Sequence, residues 1–352
     1  MSKKRALKAM NLEATDRVPC QEWIDHPGFI KKTTGIDPFE YPTEAVVAVL
    51  KALDIDWYVG IPEKSRKFDE GETSKTEDGV KYTEWGFTGS QWEEEHVFED
   101  EEDVLSYNPF EDSAGRVRIA TEKYRRDRIN DCLKGQPLVG DSTLVTGLYY
   151  TTLFQCFILA FGWELFLVTA RLEPERFAHT IDLFTEFSIR NVKEWLKEDI
   201  EVMFCHDDLS LSRGLVFPKE WYHKYIFPNY ERIFDPIKKA GKKIIFVSDG
   251  NYTQLIDDLF AVGVDGLIVD NYVELEPVIR KYGKEKVICG NVDSRILTEG
   301  SIESVKKEVK RCMDIGKKYP GYFIRAAGDL PHNIPLENIE CYFDSCREMG
   351  RR

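Results

Sequence analysis

With 352 residues, 42 % hydrophobic and 31 % charged, the chain has enough apolar content for a large globular core and no low-complexity tail. A net charge of −14 opposes non-specific binding to nucleic acid or to an anionic membrane. No apolar run of about 18 residues or more is available to span a membrane. Met1-Ser-Lys-Lys-Arg leads on without a signal-peptide core, so the cytoplasm is the expected location.

Residues 3–11 read as a short helix before the first of eight short apolar runs that end in polar or acidic clusters. The runs are Val18–Trp23, Ile55–Ile61, Pro137–Asp141, Glu201–Asp207, Lys243–Asp249, Gly266–Asp270, Lys286–Asn291 and Gly321–Ala327. Helical stretches separate most of them, among them Thr43–Leu53, Ser113–Lys134, the amphipathic Pro174–Trp195 and Pro218–Ala240. Strands alternating with helices predict a parallel sheet, and eight such units predict an α/β fold closed as a (β/α)8 TIM barrel. One barrel domain over 1–352 accounts for the chain, with 62–136 an elaborated excursion between the second and third strands. That excursion reads as a hairpin around Gly89-Ser, then the acidic tract Phe98-Glu-Asp-Glu-Glu-Asp as a helix start. The aromatic stretch Thr146–Phe157 is either a buried crossover helix or a pocket wall, since apolar spacing alone does not separate the two.

A barrel places its chemistry at the strand C-terminal ends. Glu22, Asp141, Asp207, Asp208, Asp249, Asp270 and Asn291 fall there, predicting a mouth rich in carboxylates for proton transfer or cation binding. Strand alternation puts Cys205 with Asp207 on one face and His206 with Asp208 on the other, and only one pair can face inward. Asp249 and Cys289, with His206 or Asp207, form a candidate zinc set. His26 follows the first strand, where an imidazole can reach a substrate or donate a proton. Arg325 is charged within an apolar last strand and is expected to pair with a mouth carboxylate or bind an anionic group. The eight cysteines show no CxxC pair and read as reduced, mostly core thiols.

The segments Ile-Phe-Val-Ser-Asp-Gly-Asn (245–251), Cys-Gly-Asn-Val-Asp-Ser-Arg-Ile-Leu (289–297), Gly-Tyr-Phe-Ile-Arg-Ala-Ala-Gly (321–328) and His-Asp-Asp-Leu (206–209) resemble the uroporphyrinogen decarboxylase superfamily. The resemblance covers the whole chain and is strongest from about residue 137. It implies a (β/α)8 barrel and either porphyrinogen decarboxylation or corrinoid-linked methyl transfer. The arginine-rich loop of the form Arg-Gln-Ala-Gly-Arg, which holds substrate carboxylates in true decarboxylases, is replaced here by Gln21-Glu-Trp-Ile-Asp-His-Pro-Gly-Phe, with two acids and no arginine. The His-x-Cys zinc ligands of the coenzyme M methyltransferases are replaced by Val247-Ser-Asp249, and their last cysteine falls near Ala327.

The resemblance therefore implies a corrinoid-dependent methyltransferase of the anaerobic O-demethylase type. It would take a methyl group from a small, methoxylated, aromatic donor to cobalamin on a partner corrinoid protein. Asp207, Asp249 and His26 are the expected catalytic residues, and Asp249, Cys289 and His206 the expected zinc ligands. Glu22, Asp141, Tyr149, Tyr150, Asn291 and Arg325 are the expected substrate contacts. A decarboxylase or related lyase on a smaller acid is the second expectation, and a non-catalytic tetrapyrrole- or corrinoid-binding barrel the third. A homodimer is the expected assembly, with neither nucleic acid nor membrane as partner.

Overall fold

The computed structural model describes residues 2–65, 73–75, 81–85, 87, 90–93 and 97–352. Parallel pairing runs from Trp57–Val59 to Leu144–Thr146, and from Leu148–Tyr149 to Val202–His206. It continues through Lys243–Val247, Gly266–Ile268 and Val287–Cys289 to Tyr322–Phe323. Single bridges close the circle, joining Ile324 to Cys20 and Gln21 to Trp57. The result is an eight-stranded barrel, as the alternation of strands and helices predicts.

Period-two alternation sorts the side chains into two layers. Trp57, Leu144, Phe204, Ile245, Val247, Ile268, Val287, Cys289 and Phe323 fill the inside. Met203, Cys205, Ile244, Phe246, Leu267, Ile288 and Ile324 face the surrounding helices. Edge-to-face contacts of Trp57 with Phe204 (5.4 Å) and Phe323 (5.8 Å) make the inside a packed core. The helix Ser2–Met10 lays Ala6, Ala9 and Met10 against the same inner cluster. Gly147 joins the two halves of the third strand beneath Trp195, where a Cβ would sit 2.4 Å from the indole.

The third strand is displaced from its expected place. Pro137–Val139 ends the helix Glu122–Val139, and the strand begins at Leu144. A run as short as Pro-Leu-Val fits a helix end as well as a strand, and its pairing with the second strand decides the matter. Asp141 thereby precedes its strand at the opposite end from the mouth, is exposed, and accepts the Lys3 N–H at its backbone oxygen. The expected helix Pro218–Ala240 is two, Lys219–Tyr225 and Phe227–Lys239, because Pro228 lacks an N–H and suits the first turn of a new helix.

Within the excursion, Lys81–Trp85 pairs antiparallel with both Thr73–Lys75 and Ser90–Glu93. The expected turn residue Gly89 lies outside the described residues. The acidic tract starts the helix Glu101–Ser106, with Asp100 accepting the Asp103 N–H. Among the described residues no single helix is long and apolar enough to cross a membrane.

Candidate functional site

Inner-face residues one step beyond the packed core define the mouth. On the fourth strand Phe204 points inward, so His206 and then Asp208 continue that face. Their neighbours Cys205 and Asp207 face the helices. Asp207 accordingly leaves the mouth: its carboxylate accepts the N–H groups of Leu153 (2.8 Å), Phe154 (2.8 Å) and Gln155 (2.9 Å), and the Tyr230 hydroxyl (2.6 Å). It caps the helix Phe154–Phe161 from a neighbouring strand, and with four donors on two oxygens it has no capacity left for a substrate.

His206 Nε2 lies 3.1 Å from an Asp208 oxygen, and the Asp249 N–H donates to Asp208 at 3.2 Å. Ligand atoms of His206, Asp208 and Asp249 lie within 4.8 Å of one another. The Tyr150 ring packs over the imidazole at 4.4 Å between centroids. Burial works to lower the His206 pKa, but the adjoining Asp208 charge prevails and holds it at about 8. Burial likewise opposes ionisation of Asp208, and the same contact keeps its carboxyl below the ordinary value. Asp249, partly desolvated and facing the Asp208 charge, is pushed up to about 6.

Asp208 and Asp249 open onto a cleft of about 450 Å³ whose walls include Trp163, Leu211, Asp270, Tyr272 and Ala327, with His206 buried behind them. That volume is in the range of small-molecule sites. Gly250 (φ +79°) brings its backbone so close to the hairpin Ser210–Leu215 that a Cβ would meet the Leu211 carbonyl at 2.7 Å. The Gly250 N–H donates to Asp270 at 2.7 Å, fixing a third carboxylate at the rim.

Other expected site residues lie elsewhere or are already engaged. His26 is no free loop imidazole: Nδ1 accepts the Phe29 N–H (3.0 Å) and Nε2 lies 2.9 Å from the Ile334 oxygen, while burial lowers its pKa. Cys289 lies in the barrel interior with its Sγ 3.9 Å from Gln21 Oε1, outside the His206–Asp208–Asp249 group. Burial pushes its thiol well up. Tyr149 faces the helix layer, its hydroxyl 3.4 Å from the Ser188 oxygen, whereas Tyr150 faces the mouth. Phe154 is core, resolving the aromatic stretch at that point as helix packing.

Asn291 spends its side chain on the Asp270 and Val273 carbonyls and on Arg311. Glu22 faces outward, where one oxygen accepts the Ala326 N–H and the Tyr342 hydroxyl. Arg325 is inward-facing and almost fully buried beneath the mouth. Asp208, a strand-end acid on the His206 face, joins the site although it is absent from the expected catalytic and zinc-binding residues; its alternation with His206 is the signal that finds it. Trp163 opens the helix Trp163–Leu172 and Tyr272 lies in a turn after the sixth strand, positions no strand period foretells.

The architecture is that of a (β/α)8 barrel with an imidazole and carboxylates gathered at one end. The profile of the uroporphyrinogen decarboxylase (URO-D) family matches residues 157–349, and the chain belongs to that family. It is 22 % identical over 177 residues to a uroporphyrinogen decarboxylase of Carboxydothermus hydrogenoformans, covering 50 % of this chain and 49 % of that protein. To the methylcobamide:CoM methyltransferase MtbA of Methanosarcina acetivorans it is 26 % identical over 137 residues, 39 % of this chain and 40 % of the other. The chain thus spans half or less of the length of these curated relatives. A solved methyltransferase from Methanosarcina mazei superposes with a TM-score of 0.68, covering 99 % and 98 % of the two chains at 15 % identity, which is a likeness of fold.

Proposed function

We propose that this barrel transfers a methyl group from a small methoxylated, aromatic donor to a corrinoid carried by a partner protein. The observation that carries the reading is the convergence of His206, Asp208 and Asp249 at the mouth. One imidazole and two carboxylates form a donor set that zinc accepts. The pocket fits a cation in one further respect: His206 Nδ1 is buried without a partner. Zinc bound there supplies a Lewis acid for the donor oxygen, which departs poorly as an unassisted alkoxide or phenoxide.

The protein's own side chains do the rest. With no metal bound, Asp208 holds the imidazole at Nε2, and Tyr150 covers the ring and shields it from water. Trp163 and Tyr272 offer aromatic faces to an aryl donor. Similarity to a methylcobamide:CoM methyltransferase supports a corrinoid partner.

A second reading, a decarboxylase-like lyase, is favoured by the His206 imidazole, which in the absence of metal is protonated at neutral pH and can give a proton. The decarboxylase relatives support it too.

Elemental analysis of protein prepared without chelator separates the two. About one zinc per chain is expected, falling to well under half of that in His206→Ala and Asp249→Ala but unchanged in Cys289→Ser. Zinc-free protein that releases CO2 from an acid without any corrinoid would replace the methyltransferase reading with the lyase.

A further inference from the structure

Arg325 sits on the inner face of the last strand, between Phe323 in the packed interior and Ala327 in the cleft wall. The residue is 1 % exposed. The guanidinium lies 4.5 Å above the Trp23 ring. Nε donates to the Ala326 oxygen at 2.7 Å and Nη2 to the Gly328 oxygen at 2.6 Å, which fixes the plane of the fork. Nη1 has no partner.

A buried guanidinium ordinarily meets a carboxylate, because an unpaired charge away from water is costly. Among the described residues no carboxylate reaches ion-pairing distance of Arg325. Its acidic neighbours do not take that place. Glu22 lies on the other face of the sheet and is bonded to Ala326 and Tyr342. Burial pushes it up to about 8, so it is largely neutral at pH 7. Asp329 is raised by burial in the same direction. Asp249 and Asp270 feel the Arg325 charge across the cleft, but Asp249 faces Asp208 and His206, and Asp270 is held by the Gly250 and Tyr272 N–H groups. One cation is therefore held rigidly behind the cleft wall, with a donor to spare.

We infer that Arg325 receives a carboxylate of the methyl donor, so that the substrate is a methoxylated carboxylic acid bridging the mouth between Arg325 and the His206–Asp208–Asp249 group. This rests on the methyltransferase reading for what happens at the methoxy end, but the anion site stands on Arg325 itself. An arginine fixed by two carbonyls and an aromatic face loses little freedom on binding, and the charge-assisted bond it forms is correspondingly strong.

The test compares carboxylates with their neutral amides by calorimetry on the zinc-supplemented full chain. The probes are 4-methoxybenzoate against 4-methoxybenzamide, and methoxyacetate against methoxyacetamide. The intact protein is expected to prefer at least one acid to its amide by about tenfold or more. Arg325→Gln should erase the preference and Arg325→Lys keep part of it, with zinc content equal in all three proteins. Equal binding of acid and amide by the intact protein, or no measurable binding of either acid, overturns the inference without recourse to a variant. An unchanged preference in a folded Arg325→Gln protein overturns it as well. A retained acid preference with no methyl transfer to cob(I)alamin would instead remove the methyltransferase reading and leave the carboxylate site standing.

Discussion

Glu22 has one oxygen doubly engaged and the other bare, a distribution that favours the protonated acid. Burial pushes its pKa from 4.5 to about 8, against the opposing pull of Arg325. The folded state therefore holds a proton that the unfolded chain releases above its ordinary value. The sign follows: the stabilisation is full below about pH 4.5 and is lost as pH rises through about 8. Melting temperatures measured from pH 6 to 9 should fall, and Glu22→Gln, which keeps an acceptor for Ala326 and Tyr342 without a charge, should flatten that fall. A variant whose profile runs parallel to the parent's would show that Glu22 is ionised throughout. Glu22 was legible as a strand-end acid from the sequence, but its outward direction was not. Whether odd or even residues of the first strand face inward depends on which set the neighbouring strands can pack against.

The coupling of the fourth strand to the helix Phe154–Phe161 is a matter of elements. Asp207 caps that helix, and in return Gln155 Oε1 faces the Asp208 N–H at 3.4 Å. The cap thus fixes the strand end that bears His206 and Asp208. Asp207→Ala strands three buried N–H groups and the Tyr230 hydroxyl, so unfolding in urea should reveal a loss of about 2–4 kcal/mol. Asp207→Asn, which keeps one acceptor oxygen, should lose less. If both variants matched the parent in stability and lost only activity, Asp207 would be returned to the chemistry. The residues around the cap explain the limits of sequence reading here. Cys205-His206-Asp207-Asp208 presents two equivalent alternating pairs, and only the presence of a helix N-terminus behind the sheet assigns Asp207 to it. The third strand was misplaced for a related reason, since Leu138-Val139 carries no period long enough to distinguish strand from helix end.

At the scale of the molecule, the barrel is anchored at the end remote from the mouth by a charge cluster. Asp56 is fully buried and meets Arg5 at 2.5 Å and Arg17 at 3.0 Å. Arg5 also reaches Asp16 at 2.7 Å, so the N-terminal helix is tied to the first two strands. Burial pushes Asp56 up to about 6 even with two arginines beside it. Arg5→Ala should reduce stability by about 1–3 kcal/mol in chemical denaturation, with zinc content unaltered because the cluster and the mouth lie at opposite ends. Loss of zinc in that variant without loss of stability would mean that the two ends are coupled.

The rhythm of apolar runs and helices was sufficient for the closed barrel and for the end of it where ionisable groups gather, because both follow from local periodicity and chain order. His206, Asp249 and Arg325 were legible in that way as strand-end residues. Tertiary packing decided that His206 and Asp208 face the mouth while Asp207 faces a helix, that Tyr150 and not Tyr149 covers the imidazole, and that His26 is a cap. It also set Cys289 apart from the cluster. The physical reason is that alternation has a period of two but no sign: which face of each strand turns inward is settled only when eight strands close on a common interior and the excluded face finds its own partners among the helices.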